Sequence, residues 1–223
     1  MLAPTSIARL RLLSALLLLS ALLTAPAHAQ RVARFGIEGG AALTNVAGGS
    51  ITENDWRTSP WIGISVVADR PGAVVGLQSG LHLISKGPAF NSTGAVNGVR
   101  LRYLEVPLLV RLGPARPASR VRPVLFLGGA VGVRVGCAAT AGSNGRSNSL
   151  DCDDAYFGPQ ADIQGVDVGL SVGGEVGIPY RQSLIIAPMV RYTHGLISTA
   201  SDGSDDYKSK NAAFQIGMAL RFR

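Results

Sequence analysis

An alternation of apolar and small residues with a period of two, repeated along almost the whole chain, constrains this sequence more than any other feature. At the C-terminus Phe214, Ile216, Met218, Leu220 and Phe222 share one face, and Gln215, Gly217, Ala219 and Arg221 share the other. Further upstream Val166, Val168, Leu170, Val172, Val176 and Ile178 alternate with Asp167, Gly169, Ser171, Gly173, Glu175 and Gly177. Residues two apart share a face in a strand but not in a helix, so these segments are strands. Eight such segments occur: Arg34–Leu43, Pro60–Ala68, Val74–Leu83, Val99–Leu112, Val121–Val135, Val166–Ile178, Leu184–His194 and Asn211–Phe222. Most run about ten residues, the length that carries a tilted strand across a bilayer.

The connections alternate as well. Those at 44–59, 84–98, 136–165 and 195–210 are long, whereas 69–72, 113–120 and 179–183 are short. Outer-membrane barrels have this asymmetry, with short periplasmic turns and long external loops. An even number of strands puts both termini on one side, here expected to be periplasmic.

Composition decides which face points outward. Charged residues make up 16% of the chain, against about 25% in typical soluble domains. The only lysines are Lys86, Lys208 and Lys210, and the 28 glycines fall largely opposite the apolar face. A soluble lipocalin-like barrel needs a charged exterior. A lipid-embedded barrel needs an apolar one and a lumen of small and polar residues. The expected fold is therefore all-β: an eight-stranded antiparallel up-and-down transmembrane barrel. Glu38, Glu105 and Glu175 then point inward, as do Arg111, Arg122, Arg134, Arg191 and Arg221. Charges of both signs in a narrow lumen are expected to pair. The structural reading is an ion-pair network that fills the barrel. The functional alternative is a gated polar path for small solutes. Eight strands enclose a bore just wide enough for side chains to fill, which favours the first.

The N-terminus has its own pattern. Arg9 and Arg11 precede an apolar run of twelve residues, Leu12 to Leu23, which is followed by Ala27-His28-Ala29. The run is too short to span a membrane as a helix. A basic start, an apolar middle and a small-residue end predict a secretory signal peptide over 1–29, leaving 30–223 as the barrel domain.

The chain resembles the small bacterial outer-membrane β-barrel proteins of the OmpX-like, or "porin family", type. Tyr103-Leu104-Glu105-Val106-Pro107-Leu108-Leu109 is similar to a stretch common in that family's fourth strand. Arg122 to Gly129 resembles the strand that follows, and Val190-Arg191-Tyr192-Thr193-His194-Gly195-Leu196 resembles the seventh. Gly217 to Phe222 resembles the C-terminal signal read by the barrel-assembly machinery, although here Arg223 follows the final aromatic. The resemblance implies a barrel in the outer membrane, in contact with its lipid and lipopolysaccharide. It specifies no single activity.

Other candidate sites are few. Cys137 and Cys152 are the only cysteines and both fall in the longest connection. A secreted chain matures in an oxidising compartment, so a disulfide between them is expected. Asp151, Asp153 and Asp154 form one acidic group and Asp202, Asp205 and Asp206 another. Neither has the spacing of a known calcium loop, so both read as solvated tips, with no metal or other cofactor expected. After cleavage only His82 and His194 remain as histidines, and no sequence signature marks a catalytic triad. No catalytic residue is therefore assigned. The long connections carry five basic and nine acidic residues, so the positive charge of the whole chain (+7) does not form an exposed basic patch for nucleic acid. Trp61, Tyr103, Tyr192 and Phe214 are expected at the external rim, and Phe35, Phe126, Tyr180 and Phe222 at the periplasmic rim, as aromatic girdles. The expected role is structural or interactive in the cell envelope, with 44–59 and 136–165 presented to an extracellular partner.

Overall fold

The computed structural model describes residues 32–47, 54–69, 73–87, 89–90, 96–114, 121–141, 148–151, 162–163, 165–181, 183–198, 200–201 and 210–222. The expected signal peptide, Cys152 and the aspartates at 153, 154, 202, 205 and 206 lie outside these residues. Eight long strands form the molecule: β1 Val32–Ala47, β2 Arg57–Asp69, β3 Val75–Lys86, β4 Val96–Leu112, β5 Arg122–Ala141, β6 Val166–Arg181, β7 Leu184–Gly195 and β8 Lys210–Phe222. All eight expected segments correspond to these strands. Most of the strands run further toward the long connections than the alternation alone placed them. There, short two-stranded pairings extend the wall, such as Asn54–Asp55 with Ala89–Phe90 and Asn148–Asp151 with the end of β5.

Each strand pairs antiparallel with its sequence neighbours, and β1 pairs with β8 to close the ring. The pairing of β4 with β5 carries two irregularities, one between Val96 and Gly98 and the other between Arg102 and Tyr103. There Val135 is an extra residue on β5, and Arg102 pairs with Gly136 while Tyr103 pairs with Arg134. One unpaired residue shifts the facing pattern of the strand beyond it. Cys137 is thereby brought against the buried apolar group inside the barrel.

Outward side chains are large and apolar all round the ring. Phe35, Ile62, Leu108 and Leu125 each keep over 60% of their surface exposed. A soluble barrel would turn such residues inward, so the lipocalin-like arrangement does not apply. The lumen also holds more apolar bulk than its small-residue pattern suggested. Trp61, Ile84, Leu101, Tyr103, Leu109 and Phe126 pack there with Ala42, Ala187, Met189, Ala213 and Ala219.

This corrects the expectation for three aromatics. Trp61, Tyr103 and Phe126 are buried in the lumen and are not part of a girdle. Glycines opposite them make the room. A Cβ on Gly173 would meet the Phe126 ring at 2.5 Å, and one on Gly217 would meet the Trp61 ring at 2.8 Å. Phe35, Tyr180, Tyr192 and Phe222 do face outward, at the two ends of the wall.

Candidate functional site in the charged lumen

The inward positions of β1, β3, β4, β6, β7 and β8 bring a column of charged and polar side chains into the bore. At the short-turn end Arg34 pairs with Asp69, and Arg122 Nη1 stands 3.7 Å from the same carboxylate. Arg122 also donates to the Ala73 carbonyl oxygen, so it anchors the turn region at the rim.

The next layer is the densest. Glu175 on β6 accepts from both Arg111 on β4 and Arg221 on β8, the latter also through Nη2 to Oε2 at 2.6 Å. Arg111 donates in addition to Gln78, and Gln78 Nε2 donates to Glu38 Oε1 at 2.9 Å. Arg221 Nη2 completes the ring by donating to Glu38 at 3.4 Å. All five side chains are buried.

His82 connects this ring to the middle of the lumen. Its Nε2 lies 3.3 Å from Glu38 Oε2, and its Nδ1 lies 2.9 Å from Arg191 Nη2. A guanidinium only donates, so Nδ1 accepts and the ring proton sits on Nε2, facing the carboxylate. Arg191 also donates through Nε to Gln215 at 2.7 Å and stacks its guanidinium over Trp61. Toward the long-loop end Lys86 donates to Glu105 at 2.6 Å and to Asp167 at 2.8 Å. Asn211 donates to the same Asp167 oxygen, and Lys86 also lies over the Tyr103 ring.

Burial in this column is nearly complete, and its charges balance. Lys86, Arg111, Arg191 and Arg221 face Glu38, Glu105, Asp167 and Glu175, all of them buried. Isolated charges in such surroundings are costly, and neighbours of opposite sign offset part of that cost.

Of the residues singled out from sequence, Glu38, Glu105, Glu175, Arg111, Arg191 and Arg221 come together in the column. Arg122 sits at its rim. Arg134 points inward near the long-loop end and makes no ion pair with a described residue. Sequence reasoning did not bring Lys86, Asp167, Gln78, Asn211 or Gln215 into the network, and it assigned no role to His82, which lies in the middle of the lumen. The alternation read from sequence stops at Leu83, short of Lys86. Lys86 shares the parity of Gln78 and His82, and carrying the β3 alternation three residues further places it inside.

Among the described residues, no three His, Cys, Asp or Glu side chains are grouped to hold a metal ion. His194 faces outward and stacks on Tyr192, away from the column. Cys137 lies on β5, while its expected partner is outside the described residues.

Comparison with known proteins agrees with this architecture. The family model described as outer membrane protein beta-barrel domain matches residues 27–201. A major outer membrane protein from Thermus thermophilus is similar in fold, with a TM-score of 0.53 at 14% identity, covering 86% of this chain and 99% of that one. The outer membrane protein OprG from Pseudomonas aeruginosa is similar with a TM-score of 0.51 at 14% identity, covering 87% and 98%. No curated protein sequence matches the chain. A closed ring of eight antiparallel strands, apolar outside and charged within, thus meets a family match over most of its length. The chain is a bacterial outer-membrane β-barrel protein and belongs to the outer membrane protein beta-barrel domain family.

Proposed function

We propose that the protein is a sealed barrel that acts in the cell envelope through its wall and its long loops, and that it does not conduct solutes. One observation carries this reading: the buried ring of Glu38, Gln78, Arg111, Glu175 and Arg221, which ties its strands together across the bore. Apolar Leu109, Phe126 and Trp61 occupy much of the remaining space. A balanced, hydrogen-bonded column presents no net field to draw ions in, and opening it would separate several buried charge pairs at once. In this reading residues 1–29 direct export, the C-terminal strand is read by the assembly machinery, and both termini face the periplasm. The acidic long loops face outward, and Cys137 and Cys152 join to brace the longest of them.

The alternative role as a small-solute channel is separated by an uptake experiment. Cells with and without the protein are supplied with a chromogenic β-lactam that a periplasmic enzyme hydrolyses. The sealed-barrel reading expects equal hydrolysis rates and an increased sensitivity to detergent in cells without the protein. A hydrolysis rate that rises with the amount of barrel would replace this reading with the channel.

A further inference from the structure

Among the described residues, His82 is the one histidine inside the barrel, and its side chain is fully buried. Its neighbours come from most of the wall. Glu38 on β1 and Arg191 on β7 make the 3.3 Å and 2.9 Å contacts given above. Glu105 on β4 is its register partner, and β5 carries uncharged Gly132 opposite Glu105. From β2 the Trp61 ring lies 5.5 Å away, centroid to centroid. Gly63, also on β2, admits the imidazole, because a Cβ there would meet His82 Cδ2 at 2.1 Å. On β3 itself the charged inward neighbour is Lys86, tied to Glu105. On β8 Arg221 donates to Glu38, and Gln215 accepts from Arg191. On β6 Glu175 is held by Arg111 and Arg221, and Asp167 by Lys86.

The contacts of His82 are unequal. Arg191 Nη2 uses the Nδ1 lone pair, so the ring is neutral in this arrangement. The distance to Glu38 is long beside the roughly 2.7–2.9 Å of a hydrogen bond between charged partners. Glu38 Oε1 takes Gln78 and Arg221, whereas Oε2 faces His82 and has no hydrogen bond among the described residues. Glu105 Oε1 and Arg191 Nη1 are likewise without one. Glu105 acts electrostatically on Arg191. Two buried carboxylate oxygens and one guanidinium nitrogen therefore have capacity for a second pairing.

We propose that His82 is a pH-sensitive switch that passes Arg191 between two partners. A proton from water that binds Nδ1 removes the acceptor used by Arg191 and places two cations 2.9 Å apart. The imidazolium draws in Glu38 Oε2, and Arg191 turns its Nη1 side to Glu105 Oε1. Arg191 keeps Nε on Gln215 and its stack on Trp61, so the guanidinium pivots in place. Glu105 then serves Lys86 and Arg191 together. The change thereby reaches Lys86, the last residue of β3 before a long connection. Histidine is the side chain suited to take up a proton under mild acidification. The pivot needs neither an open nor a closed bore, so it goes beyond the sealed-barrel reading and does not depend on it.

The test is nitrogen NMR of the isotope-labelled mature chain refolded in detergent micelles. His82 and His194 are the histidines of residues 30–223, so His194→Gln, at an exposed position, identifies the His82 signals. At about pH 7.5 the proton should sit on Nε2, with Nδ1 showing an acceptor signal; by about pH 5 both nitrogens should carry protons. The Arg191 Nε and Trp61 indole signals should shift with the same midpoint. His82→Gln keeps an acceptor for Arg191 and a donor for Glu38 but does not titrate, so both signals should hold still over that range. Glu105→Gln removes the second partner, and the Arg191 shift should shrink while His82 still titrates. A proton on Nδ1 at neutral pH overturns the arrangement, and a ring that stays neutral to about pH 5 overturns the switch. An Arg191 shift of equal size in His82→Gln overturns it too. The His194→Gln protein alone reads the tautomer, the titration and its coupling to Arg191 if the lumen variants do not refold.

Discussion

Glu175→Gln is the substitution that most sharply probes the lumen. In the native barrel this carboxylate takes charge-assisted hydrogen bonds from Arg111 and from both terminal nitrogens of Arg221. Glutamine keeps one acceptor and turns a donor group toward one arginine. Two buried guanidinium groups then share the single remaining carboxylate of the ring, Glu38, which Arg221 reaches at 3.4 Å. Removing one partner of a buried pair costs about 3–5 kcal/mol. Arg111 keeps Gln78 and Arg221 keeps Glu38, so the expected loss lies near the lower end, about 3 kcal/mol. Urea unfolding of the refolded barrel in micelles measures it, with the fluorescence of buried Trp61 and exposed Trp56 as the signal. The midpoint should fall with little change in slope, because the same surface is exposed on unfolding. Combining Glu175→Gln with Arg111→Met should cost less than the sum of the two single changes, since the second removes a charge that the first has stranded. A loss for Glu175→Gln under about 1 kcal/mol, the scale of an exposed pair, would refute the account of a dry, coupled lumen.

Two further substitutions test other parts of the structure. Lys86→Met leaves Glu105 and Asp167 without the cation between them. It should lower stability by about 3 kcal/mol in the same urea assay, and adding Glu105→Gln should restore part of the loss. Gly40→Ala places a Cβ 2.1 Å from the Ile216 carbonyl oxygen and 2.5 Å from the Gly217 Cα across the β1–β8 closure. It should cost about 1–3 kcal/mol and reduce the fraction that migrates as folded barrel on unheated gels. Gly165→Ala meets nothing within 4 Å and should leave both readouts unchanged.

Much of this architecture is legible in the sequence because a strand has one simple rule. The alternation around Glu175 and Arg221 fixes their direction once the apolar face is assigned to lipid, and the structure places both in the bore. Identifying partners is harder, because pairing depends on stagger between strands that alternation does not encode. Asp167 is visibly inward by parity, yet its contact with Lys86 spans 81 residues of sequence. The inward set read from sequence holds five arginines and three glutamates, an apparent excess of positive charge. Asp69 and Asp167 supply the missing acids, while Lys86 adds one more cation to the buried column. The aromatics show a different limit. Trp61 has the parity of Ser59 and Ser65, which is inward, but an expected girdle outweighs that parity in the sequence alone. A bore of eight strands still needs filling, and glycines such as Gly217 let a large ring do it.

Single-channel recording in planar bilayers tests the sealed lumen most directly. The purified barrel, shown to be folded by its heat-modifiable migration, is inserted in molar potassium chloride and held at both polarities. The account predicts a baseline without discrete steps, because the ring around Glu175 and the rings of Trp61 and Phe126 occupy the path. Reproducible steps of uniform size from the wild-type barrel would contradict it and would show that the charged column lines a conducting route.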